Sequence, residues 1–237
     1  MKIMAFDSSA IAASVCILED GKLLGESYVN NRQTHSQTLL PMAEGLLKTL
    51  SVDLSDMDAF AISAGPGSFT GLRIGVATVK GMAYAADKPC IGVSTLYATA
   101  LSAAMDNELM DGCTVCCAMD ARCGQVYTAL FECRDGKVTR ICEDMAIKLT
   151  ELCAMPQMQS GRIIAVGDGA HLVKQAMPTV TLLTDRMRYQ RAEGVALAAA
   201  EDYEKGKTVA ASALSPIYLR LPQAQREQEE KKGKIQQ

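Results

Sequence analysis

What this sequence lacks narrows its function before any motif is read. No stretch of the 237 residues approaches the run of about 18 apolar residues that a membrane-spanning helix needs. The opening MKIMAFDSSA passes directly into a strand pattern, without a basic stretch, an apolar run and a cleavage site in order. A net charge of −3 gives no overall attraction to nucleic acid, so a partner would have to hold any RNA substrate. The nine cysteines are an odd number, scattered from Cys16 to Cys153, and do not form a disulfide framework. Reduced thiols in a cytoplasmic protein are the expectation.

Chemical motifs are equally scarce. His35 and His171 are the only histidines, and no H-x-x-x-H or H-E-x-x-H pair exists, which disfavours a histidine-based metal site. Gly67-Ser68-Phe69-Thr70-Gly71 is not a G-x-S-x-G elbow, and Ser68 or Thr70 suits a helix cap. Gly65, Gly67 and Gly71 are spaced one residue too long for G-x-G-x-x-G, and no Lys followed by Ser or Thr completes a P-loop. No nucleophile and base pair or metal ligand set can be assembled, so peptidase activity has no support.

What is present centres on Asp58 to Ala86, DAFAISAGPGSFTGLRIGVATVKGMAYAA. Phe60 to Ala64 reads as a buried strand, Gly65 to Gly67 as a tight turn, and Thr70 to Ala86 as a helix. Leu72, Val76, Val79 and Ala83 form one core-facing stripe, while Gly71, Gly75, Thr78, Met82 and Ala85 form a second, small and uncharged one. An interior Gly costs about 1 kcal/mol relative to Ala. Gly75 and Gly81 therefore call for a compensating close approach, for which another helix is the natural candidate; whether it belongs to this subunit or to a partner is open. A second helix, Ser36 to Leu50, carries Leu39, Leu40, Met42, Ala43, Leu46, Leu47 and Leu50, more apolar surface than one core needs. The two helices make a candidate partner-binding pair.

The chain also repeats itself. Strands at Lys2–Phe6, Ala13–Leu18 and Leu23–Val29, joined by the Asp7-Ser8-Ser9 turn and a hairpin at Asp20-Gly21, precede that central stretch. After a polar boundary at Asp106 to Gly112, strands at Thr114–Met119, Val126–Cys133 and Val138–Cys142 follow the same plan, with turns at Asp120-Ala121-Arg122 and Asp135-Gly136. Arg162–Val166, Gly167-Asp168-Gly169 and Ala170–Met177 then repeat strand, glycine loop and helix. Two βββαβα halves would face one another across a shared cleft. The expected lobes span 1–105 and 106–210, with 211–237 a segment returning toward the first lobe and ending in a flexible tail.

Several groups admit two readings. Asp7, Ser8 and Ser9 could face a phosphate or its metal ion, or form an Asx turn bonded to their own backbone. Asp120 and Arg122 offer a guanidinium for a phosphate or partner carboxylate, or a surface salt bridge of small energy. Cys113 and Cys116 have C-x-x-C form but no second zinc-spaced pair, and core packing is the plainer account. Arg186, Arg188 and Arg191 read as a solvated basic face.

FDSS with ASVCILEDG, SAGPGSFTGLRIGVATVKGMAYA, MDARCGQVY and SPIYLRLPQAQ resemble the bacterial TsaB (YeaZ) family, from Met1 to about Gln225. The resemblance implies an α/β ASKHA fold, actin-like or ribonuclease H-like, duplicated in two lobes and distantly related to the TsaD enzymes. It implies a non-catalytic subunit needed to form N6-threonylcarbamoyladenosine (t6A) in tRNAs that read codons beginning with A. The implied partners are TsaD as a heterodimer, the ATPase TsaE, and a second copy of the chain over a similar surface, with tRNA contacted indirectly and no membrane. The interface would use Leu39, Ala43, Leu46, Leu50, Gly71, Gly75, Thr78 and Met82. Asp7, Ser9, Gly65, Gly67, Asp120 and Arg122 would line a vestigial phosphate cleft, with no metal, no intrinsic cofactor, and ATP or ADP only in complex with partners. The alternatives are a nucleotide-binding small-molecule kinase or ATPase of the same fold and a tRNA-binding module.

Overall fold

The computed structural model describes residues 1–31, 33–105 and 110–220. The first lobe opens with β1 (Lys2–Asp7), β2 (Ala13–Glu19) and β3 (Lys22–Val29). Asp20 and Gly21 both have positive φ, so the hairpin turns in the primed sense that matches strand twist and pairs Glu19 with Lys22. Helix α1 (His35–Leu50), β4 (Ala59–Gly65), α2 (Phe69–Ala86), β5 (Cys90–Ser94) and α3 (Thr95–Ala103) follow. Ser68 caps α2 by accepting the Gly71 amide, and Ser94 caps α3 in the same way. The strands form one sheet in the order β3-β2-β1-β4-β5, with β1 antiparallel to β2 and parallel to β4.

The second lobe repeats that plan. β6 (Cys113–Asp120), β7 (Gln125–Arg134) and β8 (Lys137–Arg140) form the antiparallel part, with a second primed hairpin at Asp135-Gly136. β9 (Met145–Lys148) adds to β7, and α4 (Leu149–Ala154), β10 (Arg162–Val166), α5 (Ala170–Ala176) and β11 (Thr181–Leu182) complete the unit. The order β8-β7-β6-β10-β11 matches that of the first sheet strand for strand. β9 is an addition to the expected plan, whereas α4 occupies the first helical place of the βββαβα half. Part of the expected lobe boundary (106–109) and the tail from residue 221 lie outside the described residues.

A short helix, α6 (Asp185–Arg188), leads into α7 (Ala192–Glu204). In space α7 belongs with the first sheet, packing on β1, β2 and α3. A division at residue 210 drawn from chain order therefore separates this helix from the strands it covers. Its contact face is built from Ala192, Val195, Ala196, Ala198 and Ala199, and a Cβ at Gly194 would overlap the Ala98 carbonyl. Small side chains allow α7 and α3 to lie close together between the two sheets. Arg191 is not part of a solvated face. It pairs with Glu26 of β3, whose carboxylate also accepts from Ser14, while the Ser14 hydroxyl accepts the Ala192 amide at 3.0 Å.

The result is five layers. α1 and α2 cover the outer face of the first sheet through Leu39, Met42, Val76 and Val79 against Phe6, Phe60 and Ile62. α7 and α3 fill the middle, where α3 also meets Val115, Phe131 and Ile164 of the second sheet. α4 and α5 close the far face, with Leu152 and Val173 over Leu130, Ile163 and Ala165. Each fully buried Phe, Leu or Ile contributes about 1.5–3 kcal/mol of transfer free energy, so all four apolar clusters matter to stability.

Candidate functional site

The turns of the two lobes converge on a cleft of about 610 Å³. The first lobe supplies Ser9 and the loop 66–70, and the second supplies Asp120, Arg122, Asp168 and His171. A strap formed by residues 217–220 lies along its rim.

On the first side the polar groups are already committed. Asp7 is buried and accepts hydrogen bonds from the Ser9 amide at 3.0 Å, the Ser9 hydroxyl at 2.8 Å and the Ser63 hydroxyl. Burial pushes its carboxyl above the ordinary value, and those three donors oppose the shift. The residue forms the Asx turn and is not among those that line the cleft. Next to it, the Ser8 hydroxyl donates to the Gly71 carbonyl at 2.9 Å, and His35 Nε2 donates to the Ala10 carbonyl at 2.7 Å.

The glycines of the central motif serve these same contacts. A Cβ at Gly71 would overlap the Ser8 carbonyl oxygen, and one at Gly75 would overlap the Ser8 hydroxyl and stand 2.8 Å from Ile62 Cδ1. One at Gly67 would lie 2.9 Å from Ser9 Cβ. Gly65, at φ +144°, would meet the Ile217 carbonyl, while the Ile217 amide donates to Ala64 at 2.7 Å. The sequence predicts the close approach of another helix at Gly75. Its neighbour is instead the chain's own first turn, because α2 runs directly beneath the end of β1. Gly81 is different: nothing among the described residues lies within 4 Å of a Cβ built there.

The strap itself is pinned at several points. Tyr218 packs on Phe69 with ring centroids 4.9 Å apart, Arg73 lies 3.9 Å over the Phe69 ring, and its Nε donates to the Tyr218 hydroxyl at 3.0 Å. Just before the strap, Lys80 donates to the Ser212 and Leu214 carbonyls, and at its end Arg220 reaches across to the Ala121 carbonyl at 2.9 Å. Both lobes are thereby tied to one short segment.

The second side is more open. Asp120 accepts from the Arg122 amide at 2.8 Å and pairs with its guanidinium at 3.1 Å, but Arg122 is 78% exposed. Asp168 stands beside this pair. Burial, with the Asp120 charge adding to it, pushes its carboxyl up to about 6, while Gln190 Nε2 donates to it at 3.1 Å. Asp168 was not singled out in the sequence, although the internal repeat carries its signal: Gly167-Asp168-Gly169 stands where the first lobe has Gly65-Pro66-Gly67.

Of the six expected cleft residues, Ser9, Gly67, Asp120 and Arg122 line the cleft, while Asp7 and Gly65 do not. Of the eight expected interface residues, Leu39, Ala43, Leu46, Gly71, Gly75 and Met82 are buried in this chain and Leu50 and Thr78 are half-buried. The exposed positions of the same two helices include Leu40, Ala77, Gly81 and Ala85, with Tyr84 exposed to 83%. No group of three or more His, Cys, Asp or Glu side chains among the described residues could hold a metal ion. No helix among them is long and apolar enough to cross a membrane.

Residues 23–227 match the family model described as TsaD, tRNA N6-adenosine threonylcarbamoyltransferase. The tRNA threonylcarbamoyladenosine biosynthesis protein TsaB of Escherichia coli is 35% identical over 93% of this chain and 95% of its own length. The solved structure of YeaZ from Pseudomonas aeruginosa superposes with a TM-score of 0.79 at 31% identity, covering 92% of this chain and 99% of that one. Component A of the (R)-2-hydroxyglutaryl-CoA dehydratase from Acidaminococcus fermentans shares the fold alone, with a TM-score of 0.50 at 12% identity over 86% of this chain and 98% of its own. The two matched sheets are thus the actin-like, duplicated α/β fold, and the chain belongs to the TsaB (YeaZ) family of tRNA threonylcarbamoyladenosine biosynthesis proteins.

Proposed function

We propose that this chain is a non-catalytic subunit in the formation of N6-threonylcarbamoyladenosine in tRNA, which docks on TsaD and works with TsaE. The observation that carries the reading is the contrast along α2. The inward glycines, Gly71 and Gly75, are filled by the chain's own first turn, while Gly81 and Tyr84 face outward and no described residue fills the space around Gly81. An exposed aromatic beside an open glycine, on the outermost layer of the fold, suits the close approach of a partner helix. The sealed position of Asp7 supports the absence of catalysis, since the acid is consumed by Ser9 and Ser63. A second copy of the chain would compete for the same face, and ATP or ADP would enter only with the partners.

Light scattering of the chain alone, with TsaD from the same source, and with the variants Gly81→Leu and Tyr84→Asp tests this. The wild type is expected to form a heteromeric complex. Each variant is expected to weaken it at least tenfold, about 1.4 kcal/mol, with a thermal midpoint unchanged in Tyr84→Asp and no lower than the wild type's in Gly81→Leu. Variants that co-elute with TsaD as well as the wild type would overturn the docking face. Tight ATP binding by the isolated chain in calorimetry would favour the kinase or ATPase reading, for which the cleft between Ser9 and Asp168 is the available site.

A further inference from the structure

The C-x-x-C run is divided by the strand that carries it. Side chains alternate across a sheet, so Cys113 and Cys117 face the α3 side while Cys116 faces α4 and α5. Cys113 instead stands directly opposite Cys133 in the β6–β7 ladder, with the two thiols near enough to influence one another. Opposed residues in an antiparallel pair have Cα atoms about 4.5–5.5 Å apart, within the range a disulfide spans. Both cysteines lie at the end of the sheet. Cys113 begins β6 immediately after Gly112, at φ +66°, and Cys133 is the next-to-last residue of β7 before the Asp135-Gly136 turn. Strand ends can adjust where a mid-sheet pair could not, and the adjoining Asp111, Gly112 and Arg134 are exposed.

The surroundings also separate this pair from the other buried thiols. Arg162 is the β10 partner of Cys113 and brings a positive charge to it. The adjacent Cys133 thiol, assisted by Arg162 and opposed by burial, lowers the Cys113 thiol below its ordinary value, while Cys133 moves up. Burial instead pushes Cys116 up to about 12, raises Cys117 strongly, and moves Cys90 to about 11. A thiolate is the reactive form of cysteine, so those three are inert by comparison.

We propose that Cys113 and Cys133 form a peroxide-oxidisable pair that closes to a disulfide across β6 and β7. The Cys113 thiolate attacks one oxygen of hydrogen peroxide, breaking the O–O bond and giving a sulfenic acid and hydroxide, which takes up a proton to become water. The Cys133 sulfur then attacks the Cys113 sulfur, its proton leaves with the displaced hydroxide as a second water, and the S–S bond forms. Two thiols are oxidised and one peroxide is reduced.

The test treats the reduced, folded full chain with a few equivalents of hydrogen peroxide, then denatures, alkylates and maps peptides. Two of the nine thiols are expected to be lost to alkylation, in a peptide linking Cys113 to Cys133. Cys113→Ser and Cys133→Ser should abolish the link, and Cys116→Ser should keep it. Nine alkylatable thiols after treatment, a bridge between any other two cysteines, or loss of the bridge in Cys116→Ser would overturn the proposal.

Discussion

The two lobes share one strand order and diverge in what their central turns do. In the first, the Asp7-Ser8-Ser9 turn is pressed into α2, and its acid and hydroxyls are spent on the chain itself. In the second, Arg122 is exposed and Asp168 keeps a carboxyl on the cleft. The difference is visible four residues after the second glycine of each loop, where the first lobe has Gly71 and the second has Val173. Glycine lets the turn sink onto the helix, whereas valine fills the space with a side chain that packs toward α4 and β10. Duplication supplied the same frame twice; the first copy became a sealed platform and the second kept an open edge.

The sharpest way to break this comparison is to give the first lobe a side chain at the position where the second has one. Gly71→Leu should abolish the cooperative unfolding transition, because the new side chain displaces a buried backbone carbonyl. Even Gly71→Ala should cost about 3 kcal/mol, measured by urea denaturation. Gly81→Ala serves as the control on the outer face of the same helix and should stabilise by up to about 1 kcal/mol.

A medium effect should come from the open lobe. Asp168 titrates at about 6 in the folded chain against an ordinary value of 3.8, so the folded state retains a proton that the unfolded state has lost. Its contribution is complete below about pH 4 and is lost as the pH rises through about 6, by up to about 3 kcal/mol. Asp7, shifted in the same direction, adds to that slope. Asp168→Asn should flatten the decline between pH 4 and 7 in urea melts, and an unchanged slope would remove Asp168 from the account. The smallest effect is expected from Arg122→Ala, about 0.5 kcal/mol or less, since the pair with Asp120 is solvent-screened.

Much of the frame was legible in the sequence. Period-two strands, the two Asp-Gly hairpins and the repeat predicted two like sheets, and both sheets have the same order. The tenants of the glycine positions were not legible, because the groups that fill them come from Ser8 and Ile217, distant in sequence from α2 and β4. α7 is rich in alanine and fits any close-packed face, so its pattern did not say which sheet it covers. The cross-strand partner of Cys113 was hidden for a related reason: C-x-x-C spacing draws attention along the chain, while the neighbour lies across the ladder.

The placement of α7 and the strap has a consequence for the order in which the molecule is made. The inner face of the first sheet, with Ile3, Ala5, Ile91 and Val93, is covered by residues of α7, and Gly65 is met by Ile217. On a ribosome the second lobe must emerge before either cover is available. Such long-range closure is slow and leaves apolar surface open to other chains while it waits. The first half to be synthesised is the last to be finished.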